Sequence, residues 1–224
     1  MPRAGLSREK VVSEAAALAD EVGLDQLSMA GLANRLGVRM PSLYKHVESL
    51  AALRRGIAVT ALGELGDRLS AAAVGRSGRE AVSALADAYR EYAHRHPGRY
   101  PATLPAPRAG DPEHAAAADR VLGVVSAALA GYHLDGPGSV DAIRMLRSAL
   151  HGFVALEAAA GFGRPDNIDH SFARLLDALS AALSDWSSAS GPPPAAPEER
   201  TRAAANHQGK AETGASRHRP SARR

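Results

Sequence analysis

Cysteine is absent from all 224 residues. Its absence excludes a disulfide framework, a thiol nucleophile and cysteine-bound zinc, and it makes the cytosol, and so a cytoplasmic protein, the natural expectation. Long apolar runs are lacking as well. Glu14 and Asp20 interrupt the only early apolar stretch, so no signal peptide is expected, and the run from Val121 to Tyr132 is too short to span a bilayer. No membrane partner is therefore expected. The chain also has no H-E-x-x-H, no phosphate-binding glycine loop and no nucleophile elbow. His94, His96, His133, His151 and His170 leave an enzyme using body histidines as a rival reading. His94 and His96 weaken it, because residues two apart on a helix point about 200° apart and share a metal only where the helix has already ended. The sequence names no catalytic residue, no metal ligand and no cofactor.

The formal net charge is only +3, but it is spread unevenly. Residues 1–56 hold eight Lys and Arg against six Asp and Glu, residues 57–186 hold twelve against fifteen, and residues 187–224 hold seven against three. A mildly basic head on an acidic body suits a protein that touches DNA with one end, since the body is repelled by phosphate. A head of charge +2 is weak alone, which is one reason to expect paired heads. The tail from Ser187 has no apolar periodicity and is expected to be a disordered basic extension over 187–224, with Pro192 to Pro194 as a stiff spacer. Its Arg217, Arg219, Arg223 and Arg224 either add nonspecific attraction to DNA or are inert.

Between Leu27 and Val47 the chain reads L-S-M-A-G-L-A-N-R-L-G-V-R-M-P-S-L-Y-K-H-V. Ser28 is placed to cap a helix with Met29, Leu32, Ala33 and Leu36 at helical spacing. Gly37 ends it, because a residue after a helix often needs left-handed angles that glycine accepts freely. A second helix is expected over Met40 to His46, with Pro41 in its first turn, where a missing amide hydrogen costs nothing. Leu43 and Val47 face inward. Ser42, Tyr44, Lys45 and His46 are left outward beside Arg39, a set rich in donors for phosphate oxygens and base edges. Helix, glycine turn and helix together have helix-turn-helix geometry.

G-L-D-Q-L-S-M-A-G-L-A-N-R-L-G-V-R-M-P-S-L-Y-K-H-V resembles the DNA-binding domain of the TetR family of transcriptional repressors, most specifically in L-Y-K-H. The resemblance implies a three-helix head over 1–49, completed by a helix over Ser7 to Glu21 that Gly23 closes. It implies that Ser28 and Met29 touch phosphate, that Met40, Pro41 and Ser42 meet base edges, that Tyr44 and His46 hold phosphates, and that Lys45 does either. Leu50 stands where the family usually has a lysine, and Arg54 and Arg55 either replace that charge or only solvate the surface. Gly31, inside what reads as an exposed helix, costs on the order of 1 kcal/mol relative to alanine.

The body over 50–186 reads as almost wholly helical, so the fold class is all-α. Leu50 to Val74 is a connecting helix, Gly78 to His96 follows, and five prolines make His96 to Pro112 mostly loop, with a short turn of helix over Arg99 to Leu104. Glu113 to Tyr132, Val140 to Ala160 and Ile168 to Trp186 complete the set. The last two helices are the expected homodimer interface, through Leu146, Phe153, Ile168, Phe172, Leu175, Leu179 and Leu183, unless they bury their stripes within one chain. H-R-H-P-G-R-Y and L-H-G-F-V-A-L-E-A-A-A-G-F resemble the C-terminal domain of a TetR subgroup named for a Trp-His-Gly motif, with Leu150 in place of the tryptophan. That resemblance implies a pocket for a small-molecule effector that reduces affinity for a double-stranded DNA operator. Tyr89, Tyr92, Tyr100, Leu104, Val125, Met145, His151 and Phe153 are its candidate lining. An architectural DNA-binding protein without an effector is the alternative.

Overall fold

A computed structural model describes residues 5–134, 136–164 and 166–186. The basic tail, with its arginines, lies outside the described residues. Helices α1 (Arg8–Val22), α2 (Met29–Leu36) and α3 (Met40–Tyr44) build the head, and α4 (Leu50–Ala73), α5 (Gly78–Arg95), α6 (Pro112–Leu129), α7 (Pro137–Ala158) and α8 (Ile168–Ser184) build the body. No strand occurs among the described residues.

Serines start three of these helices by offering an oxygen to an amide with no helical partner. Ser7 Oγ accepts from the Lys10 amide at 3.2 Å, Ser28 Oγ from Gly31 at 3.1 Å and Ser49 Oγ from Ala52 at 3.1 Å. Gly37 sits at φ +65°, so its amide and that of Val38 turn back to close α2 on Asn34 and Ala33 at 3.1 and 3.0 Å. The second motif helix is shorter than its sequence suggests. α3 ends at Tyr44, and the amides of His46 and Val47 both converge on the Leu43 carbonyl. Gly31 is half-buried rather than exposed: a Cβ there would lie 3.2 Å from Ser28 Oγ and 3.7 Å from Leu18 of α1, so α2 crosses α1 at this point.

Helix α4 belongs to head and body alike. Leu53, Ile57 and Ala58 pack into the head core with Val11, Val12, Leu32 and Leu43, whereas Leu65 and Leu69 pack with Leu85 and Tyr92 in the body. Gly56 permits the first of these contacts, since a Cβ there would come within 2.8 Å of Val12. The boundary at 49/50 is therefore no break in packing, and the described residues lie in one compact unit.

The proline-rich connection contains one 3-10 turn, Tyr100–Thr103, inside the expected span. Helix α6 with the 3-10 turn after it, Pro112–Tyr132, is 21 residues long and contains an 18-residue window of mean hydropathy 1.2, enough by length and composition to cross a membrane. The uncharged run still begins at Val121, because Asp119 and Arg120 separate it from the four alanines before it; only an average taken across those two charges reaches membrane length. One side of α6 packs on α4, where Gly66 faces Val121.

The expected dimer residues need correcting. Leu146, Phe172, Leu179 and Leu183 are buried within a single chain, against Val82, Ala86 and Leu129. Phe153 stacks between Phe162 and Phe172, with ring centroids 4.9 Å apart in each pair. Ile168 and Leu175 stay partly exposed. A wide apolar stripe does not distinguish its two possible partners, and here helix α5 takes most of it.

Candidate functional site

The head presents a polar edge. Arg39 precedes α3 and is exposed, as are Pro41, Tyr44 and Lys45; Ser42 and His46 are half-buried. Tyr44 is 49% exposed although it is a large aromatic residue. Arg39, Tyr44 and Lys45 make no side-chain hydrogen bond or ion pair among the described residues, so their donors remain available. Leu43 and Val47, 0% and 4% exposed, fix which way this edge points. Ser28 is spent on capping α2, and the Met29 side chain, 7% exposed, is packed in the head core rather than on the polar edge. Met40 likewise packs partly against that core.

Neither Arg54 nor Arg55 stands in for the lysine that Leu50 lacks. Arg54 Nη2 donates to the carbonyls of Leu24 and Asp25 at 3.1 and 3.2 Å, tying α4 to the α1–α2 turn. Arg55 grips Asp111 at 2.6 and 2.5 Å and Glu113 at 2.8 Å. Hydrogen bonds from Arg55 and from the His114 amide hold the Asp111 carboxyl down at about 2.

Inside the body lies a cavity of about 260 Å³. Leu62, Leu65 and Leu69 of α4 form one wall, Leu85 and Tyr89 of α5 another, Val121, Leu122 and Val125 of α6 a third, and Ile143, Leu146 and Leu150 of α7 the last. Thr103, Leu104, Pro105 and Pro107 close one end and Arg147 stands at the rim. A second, more polar cavity shares Leu104 and is lined by Tyr100, His151, Val154 and Glu157. Between the two runs a chain of polar contacts, Tyr89 Oη to Tyr100 Oη at 2.7 Å and Tyr100 Oη to His151 Nδ1 at 2.7 Å. Burial pushes both tyrosine hydroxyls up, so they stay protonated and can donate.

Of the candidate pocket residues, Tyr89, Leu104 and Val125 line the first cavity, and Tyr100, His151 and Leu104 the second. The other three do not. Tyr92 is fully buried and donates to the Ala61 carbonyl at 3.2 Å and to Glu64 at 3.0 Å. Met145 packs against the core of α7 and α8, and Phe153 is held between two other phenylalanines. Nothing in the sequence marks the α4 leucines as a cavity wall, because an inward apolar stripe looks the same whether it packs in a core or lines a cavity. Sequence reasoning missed Arg147 and Thr103 altogether, since neither belongs to a periodic pattern.

Head and cavity are joined by a polar clamp. Asp20, near the end of α1, accepts from the amides of Gly98 at 3.1 Å and Arg99 at 2.8 Å, from Arg99 Nε at 2.8 Å, and lies 3.1 Å from His96 Nδ1. Arg99 Nη1 continues to both oxygens of Glu64 on α4 at 3.0 Å. Contact is close enough that a Cβ at Gly98 would fall 1.8 Å from the Ala19 carbonyl oxygen. The segment that lines the cavity is thus bolted to the head.

The histidines are dispersed. His94 pairs with Glu157 at 2.9 Å, a carboxylate held mainly by Arg90 and pulled below its ordinary range, whereas His96 pairs with Asp20. The H-x-H pair therefore turns to two different partners, and no metal-competent cluster of His, Cys, Asp or Glu occurs among the described residues.

Residues 82–179 match the family model described as the tetracyclin repressor-like, C-terminal domain. An uncharacterised HTH-type transcriptional regulator of Mycobacterium tuberculosis is 43% identical over 167 residues, covering 74% of this chain and 75% of that protein. Another, of Bacillus subtilis, is 36% identical over 169 residues, covering 75% and 87%. The fold resembles that of a TetR variant from Acinetobacter baumannii AYE in complex with minocycline, with a TM-score of 0.62 at 25% identity over 80% of this chain and 97% of that one. The relatedness extends well past the head into the helices around the cavity, and the chain belongs to the TetR family of helix-turn-helix transcriptional regulators.

Proposed function

We propose that the protein is a cytosolic homodimeric repressor that leaves its operator when a small, mostly apolar molecule fills the body cavity. The observation that carries this reading is the clamp at Asp20, because it ties the cavity's loop wall to the first helix of the head. In this reading α3 enters the major groove, where Pro41 and Ser42 meet base edges, Arg39, Tyr44 and His46 hold phosphates, and Lys45 does either. Two heads must sit about 34 to 36 Å apart to enter successive grooves, so a small pivot of each is enough to spoil the fit. Tenfold release requires only about 1.4 kcal/mol of preferential ligand binding to the form that is off DNA.

Selection of duplexes from a random pool by the full chain tests the reading. Two half-sites related by an inverted repeat, one helical turn apart, are expected to be enriched, and a small apolar probe such as 1-octanol is expected to displace the protein from them. A pool with no enriched sequence, bound without response to any probe, would instead identify an architectural DNA-binding protein.

A further inference from the structure

The cavity lining contains no aspartate or glutamate and three groups with polar ends. Two of these are already engaged inside the protein. Thr103 Oγ1 donates to the Tyr100 carbonyl at 2.7 Å, and Tyr89 Oη is paired with Tyr100 Oη. Arg147 is different. Only its Nη2 is engaged, with the Leu104 carbonyl at 2.9 Å, and no carboxylate lies within ion-pair distance of it among the described residues. The arginines that bolt the body together behave otherwise, since Arg55, Arg90 and Arg99 each hold two carboxylates. A guanidinium has five donors in a planar fork that matches a carboxylate in two parallel bonds, so Arg147 retains its main recognition capacity at the rim of an aliphatic chamber.

We infer that this cavity takes an anionic amphiphile, a small carboxylate whose saturated body fills the leucine and valine walls and whose charged end is gripped by Arg147. The inference rests on the reading of the cavity as the effector site and adds the chemical class of the ligand. Size agrees, because about 260 Å³ lies at or below the small end of ligand pockets and suits a compact molecule. Charge agrees as well. A cationic ligand would meet Arg147 with no acidic side chain in the lining to offset the repulsion, and a neutral one would leave the fork unused. The positive field of Arg147 also reaches Tyr89 and Tyr100, where it opposes the larger effect of burial on their hydroxyls. An arriving carboxylate replaces a neutral carbonyl, that of Leu104, with charge-assisted bonds. Leu104 directly follows the 3-10 turn whose other end is clamped to α1.

Calorimetric titration of the full chain with octanoate, 1-octanol and octylamine decides the matter. Octanoate is expected to bind about tenfold more tightly than 1-octanol, with octylamine weakest, and the preference should shrink as salt is raised. Arg147→Gln should bring octanoate and 1-octanol to the same affinity, and Arg147→Lys should restore part of the difference. Equal binding of octanoate and 1-octanol to the wild type, or an undiminished octanoate preference in Arg147→Gln, overturns the charge assignment and leaves the effector cavity standing. No binding by any of the three overturns both.

Discussion

Tyr44 and Lys45 project from the end of a helix of only five residues, and their side chains have no partner within the described residues. An exposed tyrosine hydroxyl in a basic edge is well suited to a phosphate oxygen, which is not sequence-specific. Tyr44→Phe should therefore weaken binding to every duplex by a similar factor, about tenfold for one hydrogen bond to a charged group. Lys45→Ala separates two roles. Contact with a phosphate predicts a uniform loss and a salt slope shallower by about one unit, whereas contact with a base predicts relaxed preference at one operator position by about 1 to 3 kcal/mol. Titrations on selected and scrambled duplexes at several salt concentrations read both, and unchanged affinity in both variants would mean that α3 is not the reader. At this scale the sequence distinguished inward from outward positions well for Leu43, Val47, Tyr44 and Lys45. Met29 is buried as its place on the apolar stripe of α2 predicts, whereas the resemblance alone implied a phosphate contact for it.

The clamp between α1 and the proline-rich loop is a property of elements rather than of one residue. Asp20, with 16% of its side chain exposed, satisfies two backbone amides and two side chains from a segment more than seventy positions away. Asp20→Asn removes the charge that organises those donors. Gly98→Ala removes the fit, because its Cβ would overlap the Ala19 carbonyl and force the loop off α1. Both variants are expected to bind a cavity ligand within about threefold of the wild type yet lose most of the ligand's effect on DNA affinity, since a coupling free energy needs a physical connection between the sites. Ligand titrations followed by displacement from the selected duplex measure the two quantities separately. Full release retained by Gly98→Ala, with an unchanged circular dichroism melt, would place the coupling elsewhere, in α4.

For the whole molecule, the question is which surface would meet the second copy in the proposed dimer. The strong stripe of α8 is taken up inside the chain, but α7 and α8 also turn small and apolar residues outward. Leu156 is 50% exposed, Ala178 and Ala182 are exposed, and a Cβ at Gly152 would meet nothing within 4 Å. Open space at a helical glycine allows a partner helix to approach closely, as in a four-helix arrangement of two chains. Leu156→Glu combined with Ala178→Glu should convert a dimer into a monomer in light scattering at micromolar concentration while leaving the melt nearly unchanged, because neither side chain is in the core. A dimer that survives both changes would exclude this face. Substituting Leu179, 7% exposed, would not answer the question, since its loss destabilises the subunit itself.

Local chemistry determined the head: serine caps, Gly37 at a left-handed position, Pro41 in a first turn and apolar residues at helical spacing leave little choice in how residues 7–47 fold, and the outward donors follow from that choice. The all-α class and the proline-rich break after α5 follow from the same short-range rules. Tertiary structure alone decided the rest. Whether an apolar stripe faces a core, a cavity or a partner depends on which helix arrives opposite it, so Leu65 became a cavity wall and Leu183 a core residue although both sit on equally periodic faces. The same holds for charge. Arg55, Arg99 and Arg147 read alike along the chain, but folding supplies two carboxylates to each of the first two and, among the described residues, none to the third, because only distance in space sets the strength of an ion pair.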